Sequence, residues 1–420
     1  MNLVKTVLAA VALPCAAFAA AEMPSATVTS VAQGADRVLR VAYTLSDAPA
    51  VVTMAVETKG PSGWTAVSAR ALETAMGGVN RLLEPGDYEI TWRPDDVTGD
   101  PSAVFDAENA RVNLTAWPAD NPPDVMVVSL CANENPRVMY YTDIEALPGG
   151  ILENPRYRES AIVLKRIHAA GKPWIMGTLG TDAHQVTLDE DYYLGVFELT
   201  QSQHRLALQA FGAAPTVLFG TEGMLRPSER ITYNILRGTT GNSSSAPETN
   251  TPDPTATSLL GRLQSLTGVA FEMPTEAQWE YVARCGAVFA PTTFEGRYSD
   301  NGGLIGGKFV YENVGPTNGT AKVGSYAPNA WGFYDMSGNV EEWCRDWYKA
   351  DISSLNGACV EQKQNTGAAE DYYRVLRGGS ARTAASACLP TNRGKLPPHG
   401  CVDNWGNLVG YRPYAPCVAK

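Results

Sequence analysis

The sequence has few of the residues on which many metal sites depend. It contains 4 histidines among 420 residues and no Cys-x-x-Cys pair. A histidine-rich metal centre is therefore disfavoured, and a zinc ribbon or thioredoxin-type motif is excluded. Beyond the amino terminus, no apolar run approaches the ~20 residues that a membrane span requires.

Positive charge is also scarce. Lysine and arginine total 33 against 44 aspartates and glutamates, so the net charge is −11. This balance argues against a protein that wraps nucleic acid or adheres electrostatically to anionic lipid. Hydrophobic residues make up 44% of the chain, with 39 glycines and 28 prolines. This composition indicates a folded protein with many turns, and the length suits two or three domains.

The amino terminus has the layout of a secretory signal peptide. Lys5 precedes the apolar run Thr6–Leu13, and the small residues Ala17–Ala19 follow. This order predicts a signal peptide over residues 1–20, cleaved near Ala19, and hence export to the periplasm or the medium. A short buried helix is the alternative interpretation.

Export would place the cysteines in an oxidising compartment. Of the 8 cysteines Cys15 lies in the signal segment, which leaves an odd number, so at least one stays unpaired or forms an intermolecular bond. The close spacings Cys344/Cys359 and Cys388/Cys401 suggest local disulfides.

Residues 21–120 show short runs of period-2 alternation separated by turns. Examples are Arg37–Tyr43 and Tyr88–Trp92, with a turn at Glu84–Asp87. Six or seven such strands predict an all-β sandwich of immunoglobulin or fibronectin type. This part has no histidine or cysteine, which favours a role as a spacer or docking domain.

A boundary at Asn121–Asp124 begins a connecting segment, residues 121–171, and a second domain follows over 172–417. Within that domain, residues 238–258 contain no aromatic or large aliphatic side chain. We expect an exposed, mobile loop there, because such a segment cannot bury enough apolar surface to order itself.

Two stretches of the second domain stand out. In the first, Thr275 and Gln278 form a capping box that marks a helix start. Trp279 lies on the apolar face of this helix, and Glu280 with Arg284 makes a favourable i,i+4 pair. The pattern by itself indicates a structural amphipathic helix.

The second stretch places two hard oxygen donors, Asp335 and Glu342, seven residues apart around a turn at Gly338–Asn339. Oxygens from one folded loop are the ligands that Ca²⁺ takes. A solvated acidic turn is the alternative, because such spacings are frequent.

Together these stretches resemble the sulfatase-modifying-factor family, whose members include the formylglycine-generating enzyme. Further segments are similar to family motifs and occur in the family's chain order. The resemblance covers about residues 172–415. The matching segments are Trp174–Gly177, Tyr193–Gln203, Arg374–Ser380 and Asn407–Arg412.

The resemblance implies a C-type-lectin-like α+β fold with little regular structure and long loops held by Ca²⁺. It places one calcium site on the side chains of Asp335 and Glu342 and on the carbonyl oxygens of Gly338 and Val340. It places a second calcium site near Asn313 and Val314.

The oxidases of the family are similar to one another in two cysteines, five residues apart, that hold Cu(I) shortly after the Arg-Gly-Gly-Ser signature. The matching positions here are Thr383 and Cys388. A hydroxyl is a poor ligand for Cu(I), whereas thiolates select it. In addition, Glu341 replaces the tryptophan that the enzymes carry at that position. Both departures predict that copper-dependent oxidation is lost.

A basic and aromatic cleft remains as a candidate ligand site. Arginine forks recognise carboxylates and sulfates, and aromatic faces stack on sugars or peptides. As an alternative, Arg377 and Arg412 only tie loops to buried carboxylates. The candidate ligand-binding residues are Arg377, Arg382, Arg393, Trp405, Asn407, Tyr411 and Arg412.

The leading hypothesis is an exported, calcium-stabilised binding or accessory module for a peptide or an anionic glycan, with a sulfatase as one candidate partner. The alternative is a copper- and oxygen-dependent oxidase of formylglycine-generating type, with Cys388 and Ser380 as its catalytic residues. A third hypothesis is a surface-displayed recognition protein with a variable lectin-like face. We expect no nucleic-acid partner and no membrane span.

Overall fold

The structure is a computed structural model that describes residues 23–60, 62–95, 105, 108–178, 181–210, 223–238, 253–286, 319–360, 369–400 and 408–417. The predicted signal peptide lies outside these residues, as do Cys401 and residues 239–252 of the predicted loop. Within the described part of the chain, no helix combines the length and apolarity needed to cross a membrane.

The amino-terminal unit is built from antiparallel strands in two sheets. One sheet has the order β1-β2-β7-β5; in the other, β3 pairs with β4, β6 and β8. Along β2 the side chains alternate between buried and partly buried, as the period-2 pattern predicts. The strands are β1 (Ser25–Gln33), β2 (Leu39–Ser46), β3 (Ala50–Gly60), β4 (Gly63–Ala66), β5 (Met76–Gly77), β6 (Leu82–Leu83), β7 (Gly86–Trp92) and β8 (Ala110–Pro118).

One core cluster joins the two sheets. Val41 and Ile90 come from the first sheet and Val52 from the second, and all are fully buried. The predicted all-β character of this unit is therefore confirmed for its described residues. Its assignment to the immunoglobulin or fibronectin type stays a prediction.

The segment predicted as a connection belongs to the second unit. It supplies β9 (Val125–Ser129), β10 (Val138–Tyr141) and β11 (Ala161–Ile167), which pair with β14 (Tyr192–Gly195) and β19 (Tyr414–Pro416). The resulting antiparallel sheet has the order β10-β9-β11-β14-β19. Every residue of β9 is buried, because this strand lies inside the sheet and both of its faces are covered. Strands β9, β10 and β11 of the predicted connecting segment therefore share one sheet with β14 and β19 of the predicted second domain.

Two smaller sheets complete the second unit. A two-stranded sheet joins β12 (Pro173–Met176) and β13 (His184–Thr187). A four-stranded sheet has the order β17-β16-β15-β18, and its pairing of β15 with β18 is parallel. Its strands are β15 (Glu341–Trp347), β16 (Arg374–Arg377), β17 (Gly394–Leu396) and β18 (Val409–Gly410).

The described helices are few and short. They are α1 (Arg156–Glu159), α2 (Gln201–Gln209), α3 (Tyr233–Arg237), α4 (Leu259–Thr267) and α5 (Glu276–Ala283). Single 3₁₀ turns cover Ala69–Leu72, Ile144–Ala146, Ala369–Tyr372 and Ala385–Cys388. This β-rich organisation with little helix agrees with the prediction for the second domain.

The predicted helix is present as α5. Its capping box forms as expected: the Thr275 side chain accepts from the Gln278 amide, and the Gln278 side chain accepts from the Thr275 amide. Trp279 is fully buried, and Arg284 Nη1 lies 2.7 Å from Glu280 Oε1. Sequence spacing alone therefore predicted both the start of this helix and its internal ion pair.

The expected local disulfide between Cys344 and Cys359 does not form, and no disulfide joins two of the described cysteines. Cys344 is fully buried in the core cluster that contains Trp174 and Trp279. Cys359, in contrast, is only partly buried. Closeness in the sequence therefore did not predict a disulfide, because Cys344 is enclosed in the core and Cys359 is not.

Candidate functional site

The loop over residues 335–342 is a tightly coiled turn. Asp335, Gly338 and Asn339 have φ angles of +56°, +76° and +62°, so the backbone visits the left-handed region three times. Asp335 Oδ2 accepts the Gly324 amide at 2.7 Å, and Asn339 Oδ1 accepts the Ala321 amide at 2.9 Å. These bonds attach the turn to the preceding segment.

Glu198, just ahead of α2, holds the same turn from the other side. Its carboxylate accepts Asn339 Nδ2 at 2.6 Å and the Val340 amide at 3.2 Å. Burial raises the pKa of Glu198 well above its usual range, and repulsion from Asp335 and Glu342 adds to the effect. Burial likewise raises the pKa of Asp335 to about 6. Glu198 lies in a segment that is similar to a family motif, but its role in holding this turn was not predicted from the sequence.

Glu342 is paired with a buried arginine. Arg412 Nη2 donates to Glu342 Oε1 at 2.7 Å, and Arg412 Nε donates to Oε2 at 2.9 Å. Trp279 Nε1 also donates to Oε2, at 2.6 Å. Further bonds from Arg412 reach the carbonyls of Gly195, at 3.0 Å, and Tyr334. Arg412 therefore connects β14 and the turn over residues 335–342 (the acidic turn) to the segment 408–417.

When all three carboxyl groups are ionised, these residues form a buried cluster with excess negative charge. Glu198, Asp335 and Glu342 all act electrostatically on Arg412, and all four side chains are buried. Among these four side chains, three carboxylates thus face one guanidinium. A second cation would reduce the mutual repulsion of the carboxylates.

Ca²⁺ takes carboxylate and carbonyl oxygens, and the turn over residues 335–342 carries oxygens of both kinds. Asp335 and Glu342 offer carboxylates and lie at the two ends of the turn that carries Gly338 and Val340. In the same turn, Ser337 Oγ is buried and has no hydrogen-bond partner in the described structure. The described residues contain no group of three His, Cys, Asp or Glu side chains arranged around a metal position, so backbone carbonyls would have to supply part of the ligand set. Asn313 and Val314, the predicted second calcium site, lie outside the described residues.

Thr383 and Cys388 lie side by side, as the family spacing implies. Thr383 Oγ1 is 3.5 Å from Cys388 Sγ, and both side chains are buried. The Thr383 hydroxyl is also bound locally, because it accepts the Ser380 amide at 2.7 Å and lies 3.0 Å from the Ser380 carbonyl. A Cβ at Gly379 would lie 2.7 Å from Cys388 Sγ and 2.9 Å from Thr383 Oγ1.

The pair therefore offers one sulfur and one hydroxyl oxygen at a position where two thiolates would be needed. Cu(I) prefers soft sulfur ligands, so this pair of side chains does not fit a Cu(I) site.

The predicted basic cleft is largely occupied by internal ion pairs. Arg377 Nη2 binds the Glu280 carboxylate, and its Nη1 lies 3.3 Å from Glu276 Oε1. Arg393 makes a two-pronged contact with Glu276, with Nε to Oε1 at 2.5 Å and Nη2 to Oε2 at 2.9 Å. Arg377 and Arg412 thus follow the alternative interpretation, in which they fasten loops to buried carboxylates.

The remaining predicted ligand residues differ in position. Tyr411 is buried, and its hydroxyl donates to the Glu272 carbonyl at 2.8 Å. Arg382 is partly buried, and its backbone amide donates to Ser380 Oγ at 3.2 Å. Trp405 and Asn407 lie outside the described residues.

The acidic partners of the arginines were missed by the sequence analysis. Glu276 and Glu280 lie one turn apart on α5, the helix whose capping was predicted. The sequence does contain a signal for these partners. Two carboxylates four residues apart on an otherwise apolar helix lie on one face, and when that face is buried they need cations.

Comparison with known proteins identifies the second unit. A family model described as the sulfatase-modifying factor enzyme 1-like domain matches residues 167–409. The formylglycine-generating enzyme of Thermomonospora curvata is 35% identical over 153 residues, which cover 33% of this chain and 48% of that protein.

Two further relatives carry other names. The serine/threonine-protein kinase pkn1 of Chlamydia pneumoniae is 41% identical over 107 residues, which cover 26% of this chain and 15% of that protein. The chaperone protein LppX of Paenibacillus barcinonensis is 26% identical over 250 residues, covering 53% of this chain and 81% of that protein. The chain thus spans less than half the length of the kinase and of the enzyme that it matches.

Proposed function

The chain belongs to the sulfatase-modifying factor enzyme 1-like family, the match to which covers residues 167–409, and from this membership we propose that it is an exported, calcium-stabilised binding or accessory protein and not an oxidase. Its β-rich second unit fits the C-type-lectin-like fold of that family. The proposed ligand is a peptide or an anionic glycan, with a sulfatase as one candidate partner.

The observation that carries this proposal is the Thr383 hydroxyl 3.5 Å from the Cys388 sulfur. The hydroxyl is already bound to Ser380. It occupies the position of the second thiolate but is not a soft ligand for Cu(I). A single buried sulfur cannot form the two-thiolate site that selects Cu(I). Cys388 and Ser380 then serve to hold the loop that follows β16.

The direct test is a Cu(I) competition titration of the mature chain against a chromogenic chelator. We expect wild-type protein and Cys388→Ser to bind Cu(I) equally weakly, and Thr383→Cys to bind at least about 100-fold more tightly because it restores two soft ligands. Thr383→Ser is the matched control, since it keeps the hydroxyl and adds no sulfur. Tight binding by the wild type that disappears in Cys388→Ser would establish the oxidase alternative.

The names of two relatives support a protein that handles polypeptides. One is called a chaperone protein, and its alignment covers 53% of this chain. The other is called a formylglycine-generating enzyme. In this proposal the domain lacks the copper chemistry and binds a polypeptide partner.

We assign the calcium site to Asp335 and Glu342 with the carbonyls of Gly338 and Val340. The excess of buried negative charge around Arg412 supports it. When bound, Ca²⁺ supplies charge neutralisation that lets the turn stay folded with its carboxylates ionised. Glu198 and Arg412 hold this turn in position through their hydrogen bonds to it.

In the cleft itself, Arg382, Trp405 and Asn407 are the remaining predicted ligand residues. Arg382→Ala should weaken binding in a glycan and peptide array, whereas Lys172→Ala, at an exposed position outside the cleft, should not. An array on which the wild type binds nothing would remove the proposed ligand classes. Export is tested separately, by mass spectrometry of the amino terminus of the mature protein.

A further inference from the structure

A groove of about 740 Å³ lies at the junction of the two units, away from Cys388 and the acidic turn. Its walls come from the β6 region of the first unit, the loop between β9 and β10, and the end of α4. The volume lies within the range of about 300–1,000 Å³ that is usual for ligand sites. The groove is lined by Arg81, Leu82, residues 132–138, Tyr140 and residues 267–269.

Arg81 is an unpaired cation at this groove. Within the described residues its guanidinium forms no hydrogen bond or ion pair, and its Nε is buried without an acceptor. A buried donor without an acceptor destabilises the folded protein. An arginine fork is suited to a carboxylate, so an acidic ligand would supply the missing acceptor.

A second arginine makes the groove more positive. Arg137 donates to the carbonyls of Cys131 at 3.0 Å and Ala132 at 2.6 Å, so its charge meets neutral oxygens and no carboxylate in the described structure. The acidic residue of the wall, Glu134, is already bound by Arg156. In a chain with a net charge of −11, this positive groove is complementary to an acidic partner.

The remaining wall is apolar and follows a strand. Leu82 is 51% exposed, and Val138 and Val269 are partly buried. Val138 and Tyr140 belong to β10, the edge strand of the five-stranded sheet. Edge strands leave backbone donors and acceptors open to an added extended peptide. On β10 the Tyr140 amide already donates to the Asn80 carbonyl at 2.7 Å, so a peptide would pair with the stretch at Val138.

We infer that this groove binds an extended acidic peptide. A carboxylate of the peptide pairs with Arg81, its backbone runs along β10 beside Val138, and an apolar side chain covers Leu82 and Val269. The inference is independent of the proposed calcium and copper assignments, because none of the groove residues belongs to those sites.

The test is fluorescence anisotropy of the mature full chain with a labelled hexapeptide in which aspartate and leucine alternate. We expect saturable binding, and at least tenfold weaker binding to Arg81→Gln. Lys172→Gln is the matched control: it removes the same charge at an exposed position outside the groove, and we expect less than a twofold change. The same peptide with asparagine in place of aspartate should bind at least tenfold more weakly to the wild type.

Leu82→Glu provides a second variant, in case Arg81→Gln does not fold. Leu82 is half-exposed, so the substitution adds a carboxylate to the wall without opening the core, and it should abolish binding. Absence of saturable binding to the wild type, or equal losses in Arg81→Gln and Lys172→Gln, would overturn the inference. Saturable binding of a labelled sulfated heparin disaccharide, without any binding of the peptide, would overturn the choice of a peptide.

Discussion

Replacing Glu280 by glutamine should lower the free energy of unfolding of the second unit by about 3–5 kcal/mol. Glu280 Oε1 accepts Arg284 Nη1 at 2.7 Å and the Gly177 amide at 2.9 Å. Its Oε2 accepts Arg377. All three charged side chains are almost completely buried, so each guanidinium depends on protein acceptors.

The magnitude follows from the bonds that glutamine cannot make. Its amide oxygen can replace one carboxylate oxygen, but its NH₂ group would face a guanidinium, where two donors repel each other. Each hydrogen bond to a charged group contributes about 1.5–3 kcal/mol, and two such bonds lose their ionic acceptor. Glu276 then remains as the carboxylate shared by Arg377 and Arg393.

Urea unfolding followed by tryptophan fluorescence measures this loss, because Trp279 lies on the same helix. Glu84→Gln is the control: it removes the same charge from an exposed position in the first unit, and it should change stability by less than about 0.5 kcal/mol. Adding Arg377→Met to Glu280→Gln should recover part of the loss, because it removes the unpaired charge. A loss below about 1 kcal/mol in Glu280→Gln would refute the view that these arginines are structural.

Three further changes test other parts of the second unit. Chelation of calcium should lower the melting temperature by about 5–10 °C when free calcium was about 100 times its Kd, and Asp335→Ala should abolish this sensitivity; an unchanged melting temperature in the wild type would contradict the calcium site. Burial, with repulsion from Glu276, raises the pKa of Asp346 to about 6 from an ordinary value of 3.8, so the native state holds this proton more tightly than the unfolded state. The stability it contributes is complete below about pH 4 and is lost by up to about 3 kcal/mol as the pH rises through 6; urea midpoints measured across this range should show a weaker dependence in Asp346→Asn, and identical profiles would contradict the assignment. Thr200 caps α2 by accepting the Gln203 amide, so Thr200→Ala should cost about 1–2 kcal/mol in thermal unfolding while Thr200→Ser stays close to wild type.

Local sequence signals predicted the local features well. The capping box and the i,i+4 pair of α5 depend on residues three or four positions apart, and both are present. Thr383 and Cys388, which match the positions of the family's two cysteines, are five residues apart and lie 3.5 Å from each other.

The failures concern partners that are distant in the chain. Arg377 meets Glu276 and Glu280 across 101 and 97 positions, so no local pattern distinguished an internal ion pair from a ligand-binding arginine. An apolar run such as the one around Val125 or Val163 does not by itself show which strand it pairs with. The pairing of β9 with β11 and of β11 with β14 therefore placed the predicted connection inside the second unit.

The pairing of β14 with β19 in the five-stranded sheet has a consequence for the order in which the protein folds. Tyr192 pairs with Pro416 in the outermost ladder, and Arg412 completes the ionic contact with Glu342. Ladders between such distant positions form slowly, because a large loop must close before any contact rewards it. During synthesis the edge of β14 that pairs with β19 stays unpaired until β19 has emerged. A nascent chain that stalls before β19 emerges would expose the unpaired edge of β14. Binding by a holdase chaperone would protect the chain most at that stage.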